Sequence, residues 1–524
     1  MSRPRGNTSF SSQLSESIWG HRFMDGQRGP EYILEFLNVM SGTGYQLGAE
    51  RYERKKMTSF RRFIFEGSKE GRNNEIVHLE EEERKKLYEG IAEKEKINVI
   101  KEFFRNLEVS IYDGRGRPSN RSWYAKTLYP LHESLLFFEV RKKGKTVSFE
   151  RNFFARGGEL YYLMISMGVE NNPQLKESIE SRLQELLSKN KPIESVVKSI
   201  TKSTNYETQS SEEKKAPLVA SEKNELHPYL PNDVNVDLFE RFAVEFNNLI
   251  HLNIEMYEMF NLMISLVTFQ IMRYLLERVN SDEKSQVFVD VMDGQVQQIM
   301  KLSSESFAKN ELLIKRKYEK VFQEIFNDRI QNKNFVEENL EDWKKEDGHA
   351  FFKMIGLGSL HKKTKQRATR VLQSCKNYED VTTKLYNVVK DIIDDQLKKH
   401  QLPIVRGLVR DGGLGGFRAG TKYRYFMTDS FLKILVFSNV NSKQPMEFSD
   451  FIEQLYKKYG IIIGEVQAKK SGLYEESKLN IRYFQRNEQS LRDKLRQNGL
   501  LVEYSDATAM IKNPYENVDN GVNA

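Results

Sequence analysis

The sequence predicts a mainly α-helical, multidomain protein whose C-terminal part holds winged-helix modules, small α+β units in which a hairpin follows a pair of helices. Three observations lead there. Apolar residues recur three and four positions apart through most of the chain, only 12 of 524 residues are proline, and Phe448 to Tyr515 reads as helix, turn, helix and hairpin.

The first helix of that stretch is marked by Phe448, Phe451, Ile452, Leu455, Tyr456 and Tyr459. It ends at Gly460, a residue suited to a left-handed C-cap. The second runs from about Leu479 to Asn498, with Ile481, Phe484, Leu491 and Leu495 on one side and Arg482, Arg486, Gln489 and Arg496 on the other. Its apolar and basic surfaces therefore separate. In LLVEYSDATAMIKNPY two strand-like runs flank Ser505 and Asp506, which favour a tight turn, and Pro514 stops the second run.

In such a module the second helix enters the major groove of double-stranded DNA, where Arg pairs with guanine edges and Asn or Gln with adenine edges. Arg482, Arg486, Asn487, Gln489 and Arg496 are the DNA-binding residues expected there. The alternative is a winged helix used for protein docking, with its basic side chains simply solvated.

A second wing-like unit precedes the first. A helix through Leu385, Val388, Val389, Ile392 and Leu397 leads into GLVRDGGLGGFRAGTKYRYFMT, read as two strand-like ends around a glycine-rich tip. Arg406, Arg410, Arg418, Lys422 and Arg424 make that hairpin basic and suit it to a phosphate backbone. A solvated loop is the alternative. Thr428 and Asp429 then cap a helix carrying Phe431, Leu432, Ile434, Leu435 and Phe437.

Size and charge set the bounds. A chain of 524 residues exceeds one ordinary core. Cys375 is the sole cysteine, which excludes an intramolecular disulfide and a cysteine-cluster zinc site and fits a reducing cytoplasm. The net charge is +7, and residues 401–512 hold 18 Lys and Arg against 12 Asp and Glu, an asymmetry that hints at a polyanion. The N-terminal MSRPRGNTSFSSQLSES lacks the apolar core of a secretory signal. The most apolar run, 259–278, is interrupted by Asn261, Gln270 and Arg273, so it is expected as a buried core helix with no membrane span.

Five regions are expected in order: a mostly helical domain at 1–200, a linker at 201–235, a helical bundle at 236–345, a helical region ending in the basic hairpin at 346–428, and the winged helix at 429–524. In the first, Pro30 opens a helix to about Met40, and Trp19 and Phe23 fold back as its anchor. His21, Arg22, Asp25 and Gln27 are read as a structured turn, and Glu80 to Leu107 as an exposed surface helix. Arg115, Arg117 and Arg121 beside Trp123, Tyr124 and Tyr129 have the composition of a single-strand site, but core aromatics and solvated arginines are the favoured reading. Gly157 and Gly158 open an apolar helix whose free backbone N–H groups can bind an anion. The linker is rich in Ser, Thr, Glu, Lys and Pro and nearly free of periodic apolar residues.

Signatures of common chemistry are missing from the sequence. The eight histidines are scattered, the Gly144-Lys145-Thr146 triplet lacks the upstream glycine of a phosphate-binding loop, and no GxSxG or kinase set occurs. Neither a cofactor nor a metal is expected. Asp391, Asp394 and Asp395, or Glu465 with Lys469, can imitate part of a nuclease site, which needs two converging carboxylates.

The strings SIWGHRFMDGQ, RNFFARGGELYYLM, YGIIIG and GLLVEYSDATAMIKNPY resemble those of large helical proteins encoded in bacterial anti-phage defence islands. That resemblance implies a non-catalytic subunit working beside an ATPase, a nuclease or a methyltransferase. The expected function is a DNA-binding and assembly subunit of a multi-protein complex. A docking scaffold without DNA contact and a metal-dependent nuclease are the rivals.

Overall fold

The computed structural model describes all residues except 1–9, 24–26, 54–57, 68, 71–74, 90, 92, 108, 110–130, 133–139, 144–145, 150–155, 202–214, 219–226, 281–284, 359–361, 418–421, 505–508 and 519–524. The described chain is mainly helical, with short strands of two to four residues. The aromatic set Trp123, Tyr124 and Tyr129, its neighbouring arginines, Arg418 and the Ser505-Asp506 turn lie outside the described residues.

The N-terminal half is organised by α1 (Phe10–Trp19), α2 (Gly29–Gly42) and α3 (Gly157–Gly168). Pro30 sits in the first turn of α2, where its missing N–H costs nothing, and Glu31 reaches back to the Arg28 N–H at 2.6 Å. Trp19 and Phe23 meet ring edge to ring face at 5.9 Å, and Trp19 also meets Tyr318 at 5.4 Å. Helices α2 and α3 approach closely because α3 presents glycine: a Cβ on Gly158 would lie 2.6 Å from the Phe36 backbone nitrogen. At the other end of α3, a Cβ on Gly168 would lie 2.1 Å from the Phe239 carbonyl oxygen. Phe239 belongs to α4 (Val236–Ile250), so α3 is clasped between α2 and α4.

Through the middle runs α5 (Met256–Val279), buried on all sides. It is long and apolar enough to cross a membrane by composition, yet its apolar window is 94% buried in the fold. Of its polar interruptions, Asn261 is exposed, and Gln270 and Arg273 are satisfied internally. Gln270 accepts from the Tyr161 hydroxyl at 2.6 Å and donates to Glu245 at 2.8 Å, and Arg273 pairs with Glu245 at 3.1 Å. A buried polar network of this kind fixes neighbouring helices in one register.

The expected linker does not separate two cores. Within it, β2 (Lys215–Pro217) pairs antiparallel with β1 (Arg51–Glu53), Leu218 is fully buried, and the Tyr229 N–H donates to the Gly20 carbonyl at 2.9 Å. Beyond it, α4 and α5 pack directly on α2 and α3. Residues 1–200 and 236–345 therefore share apolar surface. The surface helix expected over 80–107 is also broken, into Glu81–Glu89 and Ile97–Arg105, with Phe104 fully buried.

After β3 (Val287–Phe288) comes α6 (Gln297–Ile330), a helix of 34 residues. A small helical unit at its far end includes α7 (Lys362–Ser374). The chain then returns as a long rod running antiparallel to α6: α8 (Tyr386–Gln396) and α9 (Leu402–Asp411). Tyr386 stacks on Phe322, Lys390 pairs with Glu319 and Asp394 with Lys315. Two π turns interrupt the rod. The one at Val381–Leu385 coincides with Thr382 and Thr383, whose hydroxyls bond back to the preceding turn. The one at Leu397–Gln401 immediately precedes Pro403, whose ring would clash with the carbonyl of a regular α turn.

This rod corrects the expected second wing. GLVRD is helical, because Leu402, Val405, Leu408 and Val409 follow helical spacing and bury that face of α9. Only β4 (Gly415–Gly416) and β5 (Arg424–Tyr425) form a ladder. The C-terminal region then runs α10 (Asp429–Asn439), β6 (Met446–Glu447), α11 (Phe448–Tyr459), β7 (Ile461–Ile462), α12 (Ile481–Gln497), β8 (Leu501–Glu503) and β9 (Ala509–Ile511), with two short helices between β7 and α12. Gly460 ends α11 at φ 66°. Strands β6, β9 and β8 form one antiparallel sheet in that spatial order, while β7 pairs in parallel with β3.

A shared core has a measurable consequence. Proteolytic nicking within 201–235 is expected to give fragments that coelute from a sizing column in native buffer and separate only in denaturant. Independent elution of the two fragments in native buffer would mean two separate cores.

Candidate nucleic-acid interface

Helix α12 is built to show one face and bury the other. Its first turn is capped by Asn480, whose side chain accepts from the Arg482 N–H at 3.0 Å. Phe484, Asn487, Leu491 and Leu495 form the buried stripe. Phe484 packs edge-on against Phe288 at 5.8 Å and shares a cluster with Ile299 and Leu302 of α6. Arg482, Arg486, Gln489 and Arg496 are exposed and share one face of the helix.

These four side chains differ in freedom. Arg482 and Arg486 make no side-chain ion pair among the described residues. Gln489 leans on Asp493 at 3.2 Å. Arg496 is held by Glu503 at 2.6 Å and Asp493 at 3.1 Å. A bound phosphate or base must compete for Arg496, so Arg482 and Arg486 are the more available donors.

Asn487 is not among them, which corrects its expected place at the interface. It is fully buried, accepts from the Val291 N–H at 2.9 Å, and donates to the carbonyls of Val289 and Ile463 at 2.9 and 3.0 Å. Its amide is thus fully engaged with backbone. The sequence did contain the signal. Asn487 stands three after Phe484 and four before Leu491, a position that belongs to the core stripe.

Arg424 requires the same correction. Its side chain and that of Asp290 are both wholly buried and meet at 3.0 Å. Burial raises the Asp290 carboxyl above the ordinary aspartate range, against the lowering influence of Arg424. Arg406 is committed to a two-pronged pair with Glu311 at 2.6 and 2.9 Å, and Arg410 to Asp411 at 2.7 Å. Asp411 in turn accepts from the Gly29 N–H at 2.9 Å, so it caps the start of α2. Lys422 remains exposed.

The place expected for an anion at the start of α3 is taken by a carboxyl group of the chain itself. Glu35 accepts from the backbone N–H of Gly158 at 2.7 Å and of Arg156 at 3.0 Å, and from the Gln27 amide at 2.7 Å. Beside it Glu159 is fully buried against Arg156 and the Tyr52 hydroxyl. Burial, together with the Glu159 charge, pushes the Glu35 carboxyl up to about 8.

Of the acidic residues that could imitate a nuclease site, Asp395 is exposed and the other three are held in ion pairs. Glu465 bonds Lys469 at 2.7 Å, Asp394 bonds Lys315 at 3.0 Å, and Asp391 bonds Arg367 at 3.1 Å. Among the described residues, no group of three or more His, Cys, Asp or Glu is close enough to hold a metal ion.

Two outcomes follow from this geometry. Asn487→Ala strands three buried backbone groups and is expected to lower stability by about 3 kcal/mol or more in a urea titration, whereas Arg486→Ala should stay within about 0.5 kcal/mol. Equal effects of the two would contradict the assigned burial. For Glu35, the unfolded chain releases its proton near 4.5 and the folded chain near 8. Between those values the folded state holds the extra proton, so this group makes stability fall as pH rises, with no further loss above about 8. Thermal melting at pH 5.5 and 8 should show a flatter profile for Glu35→Gln, even though that variant is less stable overall.

No family model, curated protein or solved structure matches this chain.

Proposed function

We propose that residues 429–518 form a winged helix whose α12 contacts double-stranded DNA, and that the chain acts as a non-catalytic DNA-binding and assembly subunit. The observation that carries this reading is the order α10, β6, α11, α12 and hairpin, interrupted between α11 and α12 by β7 and two short helices, with the first strand (β6) joined to the hairpin through β9. Against that frame α12 offers Arg482, Arg486 and Gln489 on its solvent side. Arginine and glutamine are residue types that make paired hydrogen bonds to guanine and adenine edges.

The remaining helices supply the scaffold. The resemblance of both ends of the sequence to anti-phage defence proteins supports partner subunits such as an ATPase, a nuclease or a methyltransferase. A second reading, protein docking without DNA contact, is favoured by one observation: β8 exposes Val502 at 38% and is followed by Tyr504 at 72%, and exposed aromatics are typical of protein interfaces.

Duplex binding separates the two. Arg482→Ala, Arg486→Ala and Gln489→Ala should leave the melting temperature nearly unchanged while each reduces discrimination between duplex sequences by about 1–3 kcal/mol. Full DNA binding by these variants, together with loss of a copurifying subunit from Tyr504→Ser, would replace the DNA reading with docking.

A further inference from the structure

Residues 348–378 contain seven Lys and Arg and no Asp or Glu, whereas residues 401–512 intersperse their 18 cations with 12 anions. Helix α7 lies in that acid-free run. Its inner side buries Ala368 and Leu372 completely, and Gln366, Arg367, Arg370 and Gln373 are exposed. The Arg367 side chain is 69% exposed even while it pairs with Asp391. Arg370 makes no ion pair among the described residues.

The position of α7 relative to α12 is set by the long helix α6. At the start of α6, Ile299 and Leu302 share a cluster with Phe484 of α12. Near its other end, Glu319 and Phe322 hold Lys390 and Tyr386 of α8, and α7 packs on α8. The stretch of α6 between these levels is about 30 Å long at 1.5 Å per residue, which is roughly nine base pairs of duplex at 3.4 Å each. Arg316 and Lys320 are exposed on α6 within or beside that stretch, and Lys398 and Lys399 on the adjacent π turn.

We propose that α7 is a second, sequence-independent contact for the phosphate backbone, reached by a duplex that leaves α12 and follows α6 toward its C-terminal end. This rests on the reading of α12 as the first DNA contact. Exposed arginines release counterions from phosphates without reading bases, and at Arg367 a phosphate takes the place of the half-exposed Asp391. The surface is therefore selective for duplex length and indifferent to duplex sequence.

The test uses the full chain and fluorescence anisotropy with an 8-bp hairpin duplex, about 27 Å long at 3.4 Å per base pair and so shorter than that span, and a 30-bp duplex, comparing R367A/R370A with R482A/R486A. The α7 variant is expected to bind the 30-bp duplex about five- to tenfold more weakly, with the slope of log affinity against log salt reduced by about two. Its affinity for the 8-bp duplex and its melting temperature should stay within about twofold and about 2 °C of the parent. Unchanged binding of the 30-bp duplex, or equal weakening at both lengths, overturns the proposal. So does loss of binding to phosphatidylserine vesicles in place of DNA, which would make α7 a membrane surface. The α12 variant is expected to weaken both lengths. If it weakens neither while the α7 variant weakens the 30-bp duplex, the reading of α12 fails and the α7 contact stands.

Discussion

The C-terminal half of the molecule depends on one segment, Gln286 to Met292, whose backbone groups are shared out among β7, β5, α6 and α12. The N–H groups of Val287 and Val289 go to the carbonyls of Gly460 and Ile462, and that of Asp290 to the Tyr425 carbonyl. Phe288 donates to Ser306 of α6, and Val291 to Asn487 of α12. The Asp290 side chain completes the set against Arg424. A buried backbone group left without its partner costs about 1–3 kcal/mol, so no one of these elements can shift alone. Gly460 shows how tight the join is: a Cβ there would lie 2.0 Å from the Ser285 carbonyl oxygen.

That constraint bears on what α12 can do. A helix whose inner face is locked to α6 and to an internal strand presents its outer side chains from a fixed platform, and fixed donors lose less entropy on meeting a partner than mobile ones do. Polar residues do this anchoring where leucine would otherwise be expected. Asn487 and Arg424 supply directional bonds in a core that apolar packing alone would leave free to slide.

Local signals were legible in the sequence and non-local ones were not. The boundaries of α11 and α12 followed from three-and-four spacing and from Gly460 and Gly499, both in the left-handed region. Thr428 capped α10 where its sequence said it should. Pattern failed where a polar side chain had a partner far away in the chain. Arg424 looks like a surface cation until Asp290 is brought to it, because the buried Tyr423 and Tyr425 on either side mark only the opposite face of the strand as covered. The linker failed for the same reason, since its composition is polar but β2 is held by pairing with β1. Of the candidate site, the face of α12 was legible because amphipathic helices declare their sides. The fate of the α3 helix start was not, since nothing local announces that Glu35 fills it.

The π turn ahead of Pro403 gives the rod beside α6 an unusual dependence on length. It accommodates one residue more than an α turn, so the same five residues from Leu397 to Gln401 wound as regular α helix would lose the alignment of the rod. Everything on the N-terminal side would rotate by about 100° relative to α9. Tyr386 would swing off Phe322, and Lys390 and Asp394 would leave Glu319 and Lys315. Exchanges at the exposed Lys398 or Lys399 disturb none of this. At that turn the number of residues, more than their identity, is what the fold reads.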